Sequence, residues 1–418
     1  MSAVTYTGAR VLDPHSRRDE TVPFTVEGGR IMRFGGDAAP TTVDLSGYTV
    51  VPGLVDLRVS TGEPGEGNRE TLQSASQAAL RGGVTTFVLS PKTRPTIDEP
   101  SLVEYLRNRA DAAPVNILLS GALTRGLAGE ALTEIGLLQE AGAAMFANGP
   151  EPVSDSALMR RILEYASAFG ALVAHPPVEP SMRAAAHESA FSARMGLAGE
   201  PGEAESLMVA RDAELVRLTG ARLLVDVVSS RAALGPLRRA KAEGLPVFAS
   251  TTINHLALNE LDIGAYRTFA KLDPPLREEA DRQALLAAVA DGTIDVVVSD
   301  HDPQPASRKR LPFAEAAPGA VGLELMMAVA TTLDADGHVA LADLLPALTS
   351  RPADLLGLEA GRLVEGAPAD FAVVDPARPW VCDSAQLASL SRNTPFDGRR
   401  LTGRVVKTFV GGREAWSL

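Results

Sequence analysis

The sequence predicts an α/β protein: a (β/α)8 TIM-like barrel carrying a small β-sandwich built from both termini. Two observations carry this. Eight apolar runs of strand length alternate with helical stretches through the middle of the chain. The two ends share a different, all-β character with tight glycine turns. The expected division is residues 1–52 plus 356–418 for the sandwich and 53–355 for the barrel.

The N-terminal segment reads as short strands. Thr25-Val26-Glu27-Gly28-Gly29-Arg30-Ile31 is a hairpin, because paired glycines reach the positive φ that a two-residue turn demands. Apolar strand runs follow at residues 55–59, 85–89, 115–119, 143–146, 171–175, 222–228, 246–251 and 294–299. Helical stretches separate most of them, among them residues 70–81, 154–168, 203–218 and 279–290. Near-continuous apolar strands between amphipathic helices imply a parallel sheet covered by helices. Eight such units in about 250 residues favour closure into a barrel over a doubly wound open sheet. At the tail, Asp370-Phe371-Ala372-Val373-Val374 is a strand run, and residues 405–416 hold a second hairpin turning at Gly411-Gly412. The chain has no low-complexity linker and no short-period repeat.

Composition narrows the function. Of 418 residues, 45% are hydrophobic and 22% charged, which is ordinary for a chain that buries a core. The formal net charge is −12, so the basic excess of a nucleic-acid binder is missing. The longest apolar runs fall short of the ~18–20 residues of a membrane helix. The N-terminus, MSAVTYTGAR, lacks a basic region followed by an apolar stretch, so no signal peptide and a cytoplasmic location are expected. A single cysteine, Cys382, excludes an internal disulfide and reads as a packed or surface thiol.

In such a barrel, function sits at the C-terminal strand ends. Those positions hold Asp56-Leu57-Arg58-Val59-Ser60, Ser90-Pro91-Lys92-Thr93, Phe146-Ala147-Asn148-Gly149, His175, Val227 and Asp300-His301. A hydrolytic metal centre needs about three protein ligands per ion. Only His175 and Asp300 stand where barrel ligands would stand. His175 reads either as a ligand or as a hydrogen-bonded structural residue, and Asp300 either as a ligand or as a cap on loop amides. His15, His187, His255 and His338 lie outside strand ends. There is no G-x-S-x-G elbow, no P-loop and no G-x-G-x-x-G after a strand. The run Arg308-Lys309-Arg310 reads as a solvated loop, with an anion site as the alternative.

Several segments together resemble the amidohydrolase superfamily, and within it the dihydroorotases of the type associated with aspartate carbamoyltransferase. They are Pro52-Gly53-Leu54-Val55-Asp56, Glu63-Pro64-Gly65, Arg81-Gly82-Gly83-Val84-Thr85-Thr86, residues 205–219, Pro274-Pro275-Leu276-Arg277-Glu278, Ser299-Asp300-His301, Gly322-Leu323-Glu324 and Asn393-Thr394-Pro395-Phe396. The resemblance covers nearly the whole chain. It implies a zinc-dependent cyclic-amide hydrolase, and the site departs from that pattern. The family's H-x-H-x-R at the first strand reads Arg58-Val59-Ser60-Thr61-Gly62, so two metal ligands and a substrate arginine are absent. The substrate asparagine falls on Lys92, the acidic ligand on Asn148 or Gly149, the strand-six histidine on Val227, and the asparagine before P-P-L-R on Asp273. His175 and Asp300 remain as vestiges of the ligand set, and D-H-A-P-H has become Asp300-His301-Asp302-Pro303-Gln304.

Arg58 puts a permanent cation where a neutral ligand belongs, and Val227 offers no lone pair. The expectation is a non-catalytic homologue without zinc, kept as a structural partner of aspartate carbamoyltransferase. A homo-oligomer is compatible with this, and neither nucleic acid nor membrane is expected. A second reading is an active metal-dependent amidohydrolase with a site rearranged on His175, Asp300, His301 and Asp302. A third is a small-molecule binder in which Arg58 and Lys92 contact an anion.

Overall fold

The computed structural model describes residues 2–418. Eight parallel strands form one sheet in sequential order: β1 (Leu54–Val59), β2 (Val84–Leu89), β3 (Asn116–Ala122), β4 (Ala143–Ala147), β5 (Leu172–His175), β6 (Arg222–Val225), β7 (Val247–Thr252) and β8 (Val296–Val298). The sheet nearly closes on itself. A parallel bridge joins Val59 to His301, and the Ser60 amide donates to the His301 carbonyl at 2.7 Å.

Side chains alternate between two apolar cores, as the two-residue period of a strand requires. Val55 and Leu57 of β1 pack with Met145 and Ala147 of β4 and Val296 and Val298 of β8 in one cluster. Leu54 of β1, Phe146 of β4 and Val297 of β8, of the opposite parity, join the larger cluster that includes the helices. Those helices include α1 (Leu72–Arg81), α2 (Pro100–Ala110), α3 (Ile135–Ala141), α4 (Ser156–Ala168), α5 (Glu203–Thr219), α6 (Leu234–Ala242) and α7 (Glu279–Ala290). Helix α1 begins at residue 72 rather than 70 because Thr71 is its N-cap, accepting from the Ser74 amide at 3.0 Å. Helix α4 likewise waits for Asp155, which caps the Ala157 amide at 2.8 Å.

The termini meet in a sandwich. One sheet has four strands, all from residues 4–44; the other has six and mixes the two ends of the chain. The seam is the antiparallel pairing of Phe371 with Pro52 and of Val373 with Val50. Between the sheets Tyr6 stacks on Phe24, while Phe371 stacks on Phe409 at 4.4 Å. Both expected hairpins form, and Gly28, Gly29, Gly411 and Gly412 all take positive φ. Cys382 is a buried free thiol. Among the described residues no helix is long and apolar enough to cross a membrane.

Candidate functional site

The barrel mouth is organised around Arg58 at the end of β1. Its Nε donates to Asp300 at 2.7 Å, and its Nη1 donates to Asp226. All three side chains are largely buried. Asp226 lies one residue beyond β6 and also accepts from Ser250 Oγ of β7 at 3.1 Å. Asp300 follows β8 in a left-handed backbone conformation, φ 50°. Below them Asp56 accepts from the amides of Arg58, at 3.1 Å, and Ser299, at 3.3 Å.

One guanidinium thus faces two carboxylates, with Asp302 nearby. Burial pushes the Asp300 carboxyl up to about 7, against the pull of Arg58. Burial likewise raises Asp56 to about 6, against its amide hydrogen bonds. Burial also disfavours the charge on Arg58, but Asp226 and Asp300 outweigh it and hold the guanidinium charged. The remaining charges of the mouth also pair. Arg183 binds Asp273, and Arg69 donates to Asp302 at 2.8 Å. The space left for water is about 40 Å³, room for a few molecules and well under the ~300 Å³ of a small-molecule site.

The sequence-derived candidates fare differently. Arg58 reaches the mouth, where two of its N–H donors go to Asp300 and Asp226. Lys92 lines the mouth, partly exposed, with its nearest carboxylate oxygen 3.9 Å away on Asp302. His175 is fully buried and committed at both nitrogens. Its Nδ1 is 2.7 Å from Asp212 of α5, and its Nε2 accepts from the Val153 amide at 2.8 Å. Despite burial, His175 and Arg211 hold Asp212 below the usual carboxylate range. His301 points elsewhere: its Nδ1 accepts from the Gly322 amide at 3.2 Å, and its Nε2 lies 3.6 Å from buried Glu70. Asn148 accepts from Thr124 Oγ1 at 2.7 Å and belongs to the loops.

Two expectations need correction. Lys309 is not in a solvated loop. It ends a short helix, Ala306–Lys309, and its buried Nζ donates to the Thr268 and Lys271 carbonyls. The last residue of β6 is Val225, not residue 228, because the chain turns at Val227, φ 72°. Asp226, not Val227, is what this strand gives the mouth; a carboxylate inside an otherwise apolar run was the available signal. A β-branched residue is rarely found at such a φ.

Behind the mouth, the segment Pro274-Pro275-Leu276-Arg277 anchors a buried ion cluster. Arg277 donates to Glu200 at 2.6 Å, Glu205 at 3.0 Å and Ser229 Oγ at 2.8 Å. Among the described residues, one trio of potential ligands has its donor atoms within 4.8 Å of one another: His187, Glu278 and Asp281. It is partly spent, since Asp281 accepts from the Arg231 amide and the Arg277 guanidinium lies 3.3 Å from His187.

Fold and chain place this protein in the amidohydrolase family, whose model matches residues 49–415. Its relatives carry a narrower name. The chain is 42% identical over 415 residues to a dihydroorotase of Anaeromyxobacter dehalogenans strain 2CP-1, covering 97% of this chain and 96% of that one. It is 39% identical to a dihydroorotase of Desulfotalea psychrophila, over 98% of both. The L-hydantoinase of Arthrobacter aurescens shares the fold, with a TM-score of 0.89 at 24% identity over 99% of this chain and 96% of that one.

Proposed function

We propose that this chain is a dihydroorotase-like protein of pyrimidine biosynthesis that keeps the barrel without its chemistry and serves as a structural partner of aspartate carbamoyltransferase. The observation that carries the first half is Arg58 clamped between Asp226 and Asp300. A guanidinium cannot be deprotonated or act as a ligand, and it repels a divalent ion from the centre of the mouth. The zinc ion that the resemblance implies does not fit these donors. His175 would have to surrender both of its hydrogen bonds, and the carboxylates already hold a cation. No activated water follows without a metal. The partner rests on the resemblance alone.

Two measurements on the purified protein test the inactive reading. After equilibration with Zn²⁺, elemental analysis should find no stoichiometric zinc, and neither dihydroorotate hydrolysis nor carbamoyl-aspartate cyclisation should exceed background. A tightly held ion together with turnover would instead support the active amidohydrolase rearranged on His175, Asp300, His301 and Asp302.

A further inference from the structure

The sandwich carries a pocket of its own, of about 210 Å³, that shares no lining residue with the barrel mouth. Strand Arg400–Val410 runs between Phe371–Val381 on one side and Arg413–Ser417 on the other. That order brings Arg404 of the middle strand together with Trp380 and Trp416 of its two neighbours. Arg81, the last residue of α1, and Glu324 are the other charged side chains of the wall.

The positive charge of this wall is under-compensated. Arg404 stacks on Trp380, its guanidinium carbon 4.7 Å from the ring centre, and among the described residues it pairs with no carboxylate. Burial and the nearby Arg378 disfavour its charge, and Arg81 adds to them against the single pull of Glu324. Glu324 is itself engaged: it accepts from the Ala388 amide at 2.7 Å and lies 3.6 Å from Arg81. Arg81 donates to the Gln386 carbonyl at 3.2 Å, and its side chain is 37% exposed, so a solute can reach it. A guanidinium without a counter-ion, held in a pocket, is a ready partner for an oxyanion. The indoles say what kind of oxyanion. Arginine planes and indole faces both favour flat rings, and 210 Å³ exceeds the ~150 Å³ that holds one benzene ring.

We propose that this pocket binds a small aromatic oxyanion, a single ring carrying a carboxylate or a phosphate, with its charge on Arg404 and Arg81 and its ring against the indoles of Trp380 and Trp416. Neither half of such a ligand uses the whole wall. A simple anion leaves the indole faces in water, and a neutral ring leaves Arg404 without a counter-charge. The inference stands apart from the barrel mouth and holds whether or not the barrel is active.

The chain has only two tryptophans, Trp380 and Trp416, so its indole emission reports on this pocket alone. The full chain is titrated with benzoate and phenyl phosphate at matched ionic strength, with acetate supplying the charge alone and benzyl alcohol the ring alone. A saturable change in emission is expected for at least one aromatic anion, with acetate and benzyl alcohol each at least tenfold weaker. Arg404→Gln, which leaves both indoles in place, should weaken that binding at least tenfold. Tighter benzoate marks a carboxylate site, and tighter phenyl phosphate a phosphate site. If circular dichroism shows that Arg404→Gln is unfolded, Arg81→Gln takes its place under the same criterion. Absence of saturation by both aromatic anions, equal affinity for acetate or for benzyl alcohol, or undiminished binding by the folded variant overturns the proposal.

Discussion

Arg58 is a single side chain that decides the electrostatics of the mouth. Removing it leaves Asp226 and Asp300 facing each other in a buried space with no counter-charge. Breaking a buried ion pair from one side costs on the order of 3–5 kcal/mol, so Arg58→Met should lower the urea midpoint by a corresponding amount. A single reversion, Arg58→His, should not generate dihydroorotate turnover, because groups that act as a unit fail together. The carboxyls themselves predict a pH dependence. Asp300 and Asp56 titrate in the fold near 7 and 6, above the roughly 3.9 of an unfolded aspartate. The folded state therefore binds more protons than the unfolded one between about pH 4 and 7. Their contribution is complete below about pH 4 and is lost as pH rises through 6 to 7. Urea midpoints of the parent and of Asp300→Asn, measured from pH 5 to pH 8, should diverge, the parent losing stability relative to the variant as pH rises toward 7. An unchanged slope in the variant would assign the titration to other groups.

At the scale of elements, the strands were readable and the side-chain commitments at their ends were not. Apolar runs bounded by polar residues give β1 to β8 to within a few residues, because burial on both faces leaves that mark directly in the sequence. The end of β6 escapes this reading. Residues 225–228 are apolar but for Asp226, and the turn is made by a valine where glycine would have signalled it. His175 was legible as a strand-end histidine, yet its two partners come from residues 212 and 153, which no local pattern connects. Arg277 shows the same thing on a larger scale. It ties the segment before α7 to α5, through Glu205, and to the loop after β5, through Glu200. Arg277→Ala strands two buried carboxylates and should cost about 3–5 kcal/mol. Chemical denaturation measures this, and a loss below ~1 kcal/mol would mean that water replaces the cluster.

For the whole molecule, the first question is what a barrel with a filled mouth does. A stable dock on aspartate carbamoyltransferase should bury on the order of 1,200–2,000 Å². Co-expression followed by size-exclusion chromatography with light scattering should give a joint peak. Separate elution at micromolar concentration, with the transcarbamoylase assembled and active alone, removes the scaffold role. A second property follows from the sandwich. Its six-stranded sheet needs Arg400–Val410 and Arg413–Ser417 beside Phe371–Val381, which in turn pairs with Thr49–Pro52. A chain ending at Arg399 should be found in the insoluble fraction. During synthesis the same geometry imposes a wait. Tyr6, Phe24 and Ile31 leave the ribosome early, but Phe371 and Phe409, which close their core, come about 350 residues later. At roughly 5–20 residues per second, that is about 20–70 s during which the first sheet has no lid. The N-terminal strands can therefore be clasped only once residues 371–409 have been made, and a chain stopped before them should leave Tyr6, Phe24 and Ile31 uncovered.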